Sequence, residues 1–228
     1  MLKYDEYISP DKTANLVVFL HGYNCTVAMH QYAIDWLKDD LRNSVLIVPY
    51  STEISDKNPE RLQWFGMLKH DADNRRAVPE TSAEEIFAIY NRTAADISRC
   101  AAIINDFIDS LQQKYRINDK HTFLCGFSQG AMLALYTALV RKSELGGAFV
   151  LSGLTAGADL LATQIHSYPQ IYMFHGSNDT KVQFKTLQKS IAWLKEHHVP
   201  VQQYVFDGLE HKMIAEEMKI IADKISAE

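Results

Sequence analysis

The amino-acid sequence predicts an α/β fold, with a doubly wound, mainly parallel sheet and helices on both of its faces. Three observations favour this class. Short segments are apolar throughout, which is typical of parallel strands covered on both faces. Segments with helical periodicity separate them. Strands and helices therefore alternate along the chain, as they do in doubly wound domains.

The predicted strands are short apolar runs such as LVVFLH and VLIVPY, and each one ends at a glycine or at a polar stretch. Their lack of alternation indicates burial on both faces rather than one. We predict strands at 16–21, 45–50, 121–127, 147–153, 170–176 and 201–208.

The clearest helical pattern runs over 82–111, where apolar residues recur three or four positions apart and form one buried stripe. Ser82 and Glu85 have the spacing of a capping box at its start. Thr180 and Gln183 have the same spacing before another amphipathic stretch. Further helices are expected over 30–42, 129–142 and 212–226.

The segment 51–83 departs from this alternation because it is polar and has no sustained period. It nevertheless groups the apolar residues Trp64, Phe65 and Met67. Long loops inside compact α/β domains are often functional. We interpret the segment as a lid or a substrate-pocket loop within a single domain that spans 1–228.

Composition excludes several classes of protein. The net charge is −5 and there is no basic block, so we expect no nucleic-acid partner. No apolar window approaches the roughly 20 residues of a membrane-spanning helix, so we expect no integral membrane segment. The N-terminal residues lack the apolar core of a signal peptide, which makes a cytoplasmic location the expectation. The three cysteines form no CxxC pair, so neither a disulfide framework nor a zinc site is expected.

The sequence GFSQG at 126–130 follows a predicted strand and precedes a predicted helix. A nucleophile elbow requires this context, because a serine on the tight turn between strand and helix projects its hydroxyl above the sheet. Glycines two residues before and two after leave room for neighbouring backbone. We therefore predict Ser128 as a nucleophile.

A serine hydroxyl needs a base, and in this arrangement an acid and then a histidine follow it along the chain. His211 lies just after the last predicted strand, where such a base belongs, and His175 is the alternative. Asp179 lies in the loop after the preceding strand and would orient the imidazole. Asp207 is the second candidate for the acid.

Ester cleavage also needs hydrogen-bond donors directed at the oxyanion. The residue after the nucleophile, Gln129, supplies one candidate backbone N–H. The loop after the first predicted strand of the core supplies the other, and we assign it to Tyr23, which follows the pair His21-Gly22.

Taken together, these residues resemble the phospholipase/carboxylesterase branch of the α/β hydrolases, which includes acyl-protein thioesterases and small bacterial carboxylesterases. The resemblance covers most of the chain and is carried by VVFLHG, Trp64-Phe65, GFSQGA, LSG at 151–153, HGSNDTKV and GLEH. It implies a triad of Ser128, Asp179 and His211, oxyanion donors at Tyr23 and Gln129, and no cofactor. It also implies substrates that are carboxylic esters, lysophospholipids or S-acylated proteins.

Three departures from the family pattern lie where a substrate would bind. The glycine-rich loop usual after HG is replaced by the bulkier, more polar residues 23–26. Gly66 stands where the family has an acid after Trp-Phe, and the charged segment 69–83 has no clear counterpart. These changes leave the predicted catalytic residues in place and alter the region where the rest of the substrate would bind.

We therefore expect a serine hydrolase that cleaves a small-molecule or lipid acyl ester or thioester through an acyl-enzyme. Trp64, Phe65, Met67 and Leu154 are candidates for an apolar acyl pocket, with ordinary core packing as the alternative. A peptidase or amide hydrolase on the same fold, or a non-catalytic binding module, are the alternative functions. Neither a metal nor a cofactor is expected, and a homodimer is left open.

Overall fold

A computed structural model of the protein describes residues 2–11, 13–26 and 28–227. Within these ranges the strands are β1 (Tyr4–Ile8), β2 (Asn15–Leu20), β3 (Ser44–Pro49), β4 (Glu53–Ile54), β5 (Leu62–Gln63), β6 (Thr122–Phe127), β7 (Gly147–Leu151), β8 (Ile171–Gly176) and β9 (Val201–Phe206). Seven of them form one sheet in the order β1-β3-β2-β6-β7-β8-β9, and the two short strands β4 and β5 pair separately.

The main sheet is parallel except at one edge, where β1 runs antiparallel to β3. Its central strands are buried on both faces, as their uninterrupted apolar character predicts. The prediction missed β1, because the sequence YDEYI alternates in polarity and belongs to a half-exposed edge strand. It also missed the two-residue strands β4 and β5.

Helices cover both faces of the sheet. They are α1 (Ala28–Leu37), α2 (Ala83–Asn91), α3 (Ala94–Tyr115), α4 (Gln129–Val140), α5 (Ala158–Ala162), α6 (Lys185–Glu196) and α7 (Ala215–Ser226). Helices α1 and α7 pack on one face and α2 to α6 on the other. Alternate residues of β2 point to opposite faces: Leu16 and Val18 join the core under α3 and α4, and Val17 and Phe19 join the core under α7. The predicted fold class is confirmed.

The helical stripe predicted over 82–111 is buried, but two helices carry it rather than one. The chain breaks at Thr93, whose hydroxyl donates to the carbonyl of Tyr90. Ser82 caps α2 by accepting from the N–H of Glu85, whereas the Glu85 carboxylate turns to Arg75 instead of completing the box. None of the helices in the described ranges is long and apolar enough to cross a membrane.

The capping box predicted at Thr180 is wrong. Helix α6 begins later, at Lys185, without a side-chain cap. The Gln183 amide instead donates to the carbonyls of Arg76 and Val78, 2.9 and 2.7 Å away. Gln183 therefore ties the segment 51–83 to the loop after β8.

Candidate active site

Ser128 stands on the turn between β6 and α4 with a backbone φ of 56° and ψ of −116°. A non-glycine residue keeps such a conformation only where its surroundings hold it. Its N–H donates to the carbonyl of Leu151 on the neighbouring strand over 2.8 Å. A Cβ at Gly126 would lie 2.4 Å from the carbonyl carbon of Gly130, and one at Gly130 would lie 2.1 Å from the carbonyl oxygen of Leu20. The two glycines are therefore required by close backbone contacts around the serine.

His211 lies beside Ser128, in the loop between β9 and α7. Its Nε2 is 3.0 Å from the Ser128 Oγ, and its Nδ1 is 2.7 Å from the Asp179 Oδ2. A carboxylate only accepts, so Nδ1 carries the proton that is donated to Asp179, and Nε2 of a neutral ring accepts from the serine hydroxyl. The ring also packs against Phe127, with centroids 4.7 Å apart. The structure thus brings together the three residues that the sequence predicts as a triad.

Asp179 is completely buried but well supplied with donors. Its Oδ1 accepts from the N–H groups of Lys181 and Val182, at 2.9 and 3.0 Å. Burial alone would raise the pKa of the Asp179 carboxyl, but the hydrogen bond from His211, the neighbouring histidines and the backbone N–H groups outweigh it and hold the pKa below its usual value. Asp179 is therefore an anion, suited to orienting an imidazole and to stabilising an imidazolium.

The alternative residues have other contacts. His175 is fully buried in β8, and its Nε2 donates to the carbonyl of Val182 over 2.8 Å. Burial lowers its pKa, so the ring is neutral. Asp207 accepts from the hydroxyl of Ser177. His175 thus supports the loop that carries Asp179, and Asp207 lies at a separate surface contact.

The two predicted oxyanion donors flank the serine. The N–H of Gln129 belongs to the first turn of α4, where N–H groups are free and the helix dipole is positive. Tyr23 lies in the loop after β2 and lines the same cleft as Ser128. Within the described ranges, neither backbone N–H has a protein acceptor. Both remain available to an oxygen in the cleft.

Three of the four residues predicted for an acyl pocket lie in the core instead, and only Met67 lines the cleft. Trp64, Phe65 and Leu154 are 4%, 0% and 0% exposed. The Trp64 indole stacks on His21 and donates to its carbonyl. Aromatic side chains that find such packing and a hydrogen-bond partner are more stable inside the protein than against solvent.

Gln129 has a second role that its place in the GFSQG sequence does not reveal. Its side-chain oxygen accepts from the N–H of Trp64 at 2.9 Å, and its amide donates to the carbonyl of Phe65 at 2.7 Å. The side chain therefore pairs with two backbone groups of the segment 51–83. The helix that follows the serine holds one wall of the cleft in place through these contacts.

The cleft above Ser128 has a volume of about 330 Å³. Segment 51–83 contributes much of its wall, together with the loop after β2, α4 and the loop after β8. The sequence prediction missed its cationic residues, which are Lys57, Arg76 and Lys181. The signal available was weak: Lys181 lies in the HGSNDTKV sequence, and the other two lie in a charged, aperiodic loop.

The chain is similar to known proteins of one family. Residues 5–228 match the model of the phospholipase/carboxylesterase family. Acyl-protein thioesterase 1 of Neurospora crassa is 30% identical over 217 residues, which are 91% of this chain and 84% of that protein. Carboxylesterase SOBER1 of Arabidopsis thaliana is 33% identical over 107 residues. That match spans 46% of this chain and just under half, 47%, of SOBER1.

Solved structures show the same fold. Esterase PE8 superposes with a TM-score of 0.82 at 21% identity, over 99% of this chain and 98% of that one. SOBER1 of Arabidopsis thaliana superposes with a TM-score of 0.76 at 22% identity, over 94% of this chain and 99% of that one. With the family model matched over nearly the whole length and the α/β-hydrolase fold present, the chain belongs to the phospholipase/carboxylesterase family of α/β hydrolases.

Proposed function

We propose that the protein hydrolyses carboxylic esters or thioesters through an acyl-enzyme on Ser128. The observation that carries this proposal is the continuous pair of hydrogen bonds from Ser128 to His211 and from His211 to Asp179. Membership of a family whose named relatives are carboxylesterases and acyl-protein thioesterases supports it.

In the proposed acylation, the Ser128 oxygen attacks the carbonyl carbon while its proton passes to Nε2 of His211. Asp179 stabilises the imidazolium that forms. The carbonyl oxygen becomes an oxyanion and accepts from the N–H groups of Tyr23 and Gln129. The tetrahedral intermediate collapses, the bond to the leaving group breaks, and His211 gives the proton to the departing alcohol or thiol.

In deacylation, a water molecule replaces the leaving group. His211 takes one of its protons as the water oxygen attacks the acyl carbon, and then returns that proton to the Ser128 oxygen. A carboxylic acid leaves and the free enzyme is restored. Each proton transfer uses the same nitrogen, which the bond to Asp179 keeps facing the serine.

The test is hydrolysis of p-nitrophenyl esters from acetyl to dodecanoyl by the wild type and Ser128→Ala. We expect kcat to fall by about 10³-fold or more in the variant, because the nucleophile is lost while the oxyanion donors remain. Ser177→Ala, a loop serine that bonds to Asp207, is the matched control and should keep wild-type turnover.

Labelling with a serine-directed phosphonate, located by mass spectrometry, should modify Ser128. Equal turnover by the wild type and Ser128→Ala would overturn the assignment of the nucleophile. Anilides with the same acyl groups separate an ester hydrolase from an amide hydrolase. Absence of both turnover and labelling in the wild type would leave a binding module as the better description.

A further inference from the structure

The charges around the cleft are unbalanced. Three of its lining residues are permanent cations, namely Lys57, Arg76 and Lys181, and no carboxylate side chain lines it in the described part of the chain. The chain as a whole has a net charge of −5. A concave site with one sign of charge concentrates ligands of the opposite sign. The side chains that line the cleft are therefore cationic, although the protein as a whole is anionic.

Arg76 is the most firmly held of these cations, with only 8% of its surface exposed. Its Nη1 donates to the Oδ2 of Asp71 over 2.6 Å. Asp71 also accepts from the backbone N–H groups of Arg75 and Arg76, at 2.7 and 3.2 Å. The Gln183 side-chain amide donates a hydrogen bond to the Arg76 carbonyl. The guanidinium is thus oriented before any ligand arrives.

Part of this guanidinium is left for a ligand. Arginine has five N–H donors, and Asp71 takes donors on Nη1 alone. No other carboxylate within the described ranges pairs with Arg76. The Tyr90 hydroxyl is also hydrogen-bonded to the guanidinium, and burial raises the pKa of Tyr90 to about 12, so it stays neutral and does not cancel the charge. The remaining donors form one side of the cleft.

Two lysines add their charge to that of Arg76 at the cleft. Lys57 lies on the same segment, with its ammonium 5.5 Å from the centre of the Tyr23 ring. Lys181 follows the triad acid Asp179 in the loop after β8. Asp56, the nearby acid, is not part of the cleft lining and accepts from the N–H groups of Met67 and Leu68 and from the Tyr23 hydroxyl, although its charge still acts on Arg76. The cations therefore converge on the cleft from two sides.

We propose that Arg76, assisted by Lys57 and Lys181, binds an anionic group of the substrate, so that the protein acts on small esters or thioesters that carry a carboxylate or a phosphate. This inference rests on the proposed ester hydrolysis at Ser128. A guanidinium suits both kinds of anion, because its paired N–H donors match their oxygen atoms. The cleft volume of about 330 Å³ lies at the low end for small-molecule sites, which favours a compact substrate.

The test compares p-nitrophenyl butyrate with p-nitrophenyl hemisuccinate, which have acyl chains of the same length and differ by a terminal carboxylate. A second pair places the charge on the leaving group: butyryl esters of 2-nitrophenol and of 3-hydroxy-4-nitrobenzoic acid, which differ only by the carboxylate. A hemisuccinate also cleaves itself, because its carboxylate attacks the ester internally. The rate with Ser128→Ala is therefore subtracted.

We expect wild-type kcat/KM to favour at least one anionic ester over its neutral partner by about tenfold, mainly through KM, and this preference to fall as salt screens the charges. Arg76→Met should abolish the preference and Arg76→Lys should keep part of it. Arg75→Met is the matched control and should keep the preference, since Arg75 is exposed and pairs with Glu85. Succinate and inorganic phosphate, tested as inhibitors of butyrate hydrolysis, distinguish the two anions.

The outcomes separate the two proposals. Failure of the wild type to cleave any ester would overturn the proposed function itself. Turnover of neutral esters with no preference for either anionic partner would overturn the anion site and leave the hydrolase standing. A preference unchanged in folded Arg76→Met would overturn the assignment to Arg76. If Arg76→Met does not fold, Lys181→Met and the salt dependence of the wild type replace it as the test. A preference for anionic esters that changes neither in Lys181→Met nor with salt would refute the anion site.

Discussion

The turn that carries Ser128 and the segment 51–83 form opposite parts of one cleft, but different forces hold them. Around Ser128 the backbone itself is crowded, and glycines at 126 and 130 are the residues that fit. Segment 51–83 depends on side chains that bond to backbone, such as Asp56, Asp71 and Gln129. The turn around Ser128 therefore tolerates almost no increase in side-chain volume at positions 126 and 130.

This difference separates the region proposed for catalysis from the region proposed for substrate binding. Close packing of strands and a helix fixes the position of the proposed nucleophile. Every substrate of the proposed reaction needs the nucleophile in that position. The wall that contacts the rest of the substrate is placed by hydrogen bonds that a few substitutions can rearrange. Substrate preference can therefore change while the chemical framework stays the same.

The largest effect should come from Gly130→Ala. Its Cβ would lie 2.1 Å from the carbonyl oxygen of Leu20, a backbone atom that cannot move aside without displacing β2. We expect the free energy of unfolding to fall by about 3 kcal/mol or more. Gly147→Ala is the control, since its nearest contact would be an ordinary 3.4 Å. Equal midpoints for both variants in urea unfolding would show that the turn is not set by backbone crowding.

The next largest effect should come from Glu217, which is 1% exposed on α7, the helix that follows the His211 loop. Burial raises the pKa of its carboxyl to about 7. The unfolded chain loses this proton at lower pH than the folded chain. The contribution of the protonated Glu217 carboxyl to the free energy of unfolding is therefore fully present below about pH 4.3. It is lost as the pH rises through 7.

Glu217→Gln removes this titration while keeping the oxygen that accepts from the N–H of Ile214. We expect the variant to be more stable than the wild type above pH 7, by about 3 kcal/mol, and the two to converge near pH 4. The control is Glu216→Gln, an exposed neighbour. Parallel curves of unfolding free energy against pH for Glu217→Gln and the wild type would refute the raised pKa.

The smallest change in stability should come from Asp56→Asn in the segment 51–83. The amide cannot accept at all the positions that now receive the N–H groups of Met67 and Leu68 and the Tyr23 hydroxyl. We expect kcat/KM to fall about tenfold, equivalent to ~1.4 kcal/mol, while the melting temperature drops far less than in Gly130→Ala. Glu60→Gln, an exposed substitution on the same segment, should change neither. A large loss of stability would mean that the segment is part of the folding core.

The sequence predicted the fold well where the pattern is strong. Fully apolar runs predicted the central strands, because a strand that is buried on both faces has no position that favours a polar side chain. It failed where the pattern is weak: β1 alternates, and β4 and β5 have two residues each. The break between α2 and α3 at Thr93 was also missed, because the apolar stripe continues in phase across it.

The candidate site shows the same division. The identities of Ser128, Asp179 and His211 followed from their order and from the ends of strands, because a parallel sheet gathers those ends at one edge. Local sequence was enough for that. It could not show that Trp64 and Phe65 turn into the core, or that Arg76 and Lys181 meet at the cleft although they are far apart along the chain. Such contacts depend on how an aperiodic loop packs against the rest of the molecule, and only the folded chain supplies the partners, Gln129, Asp71 and Gln183, that direct it.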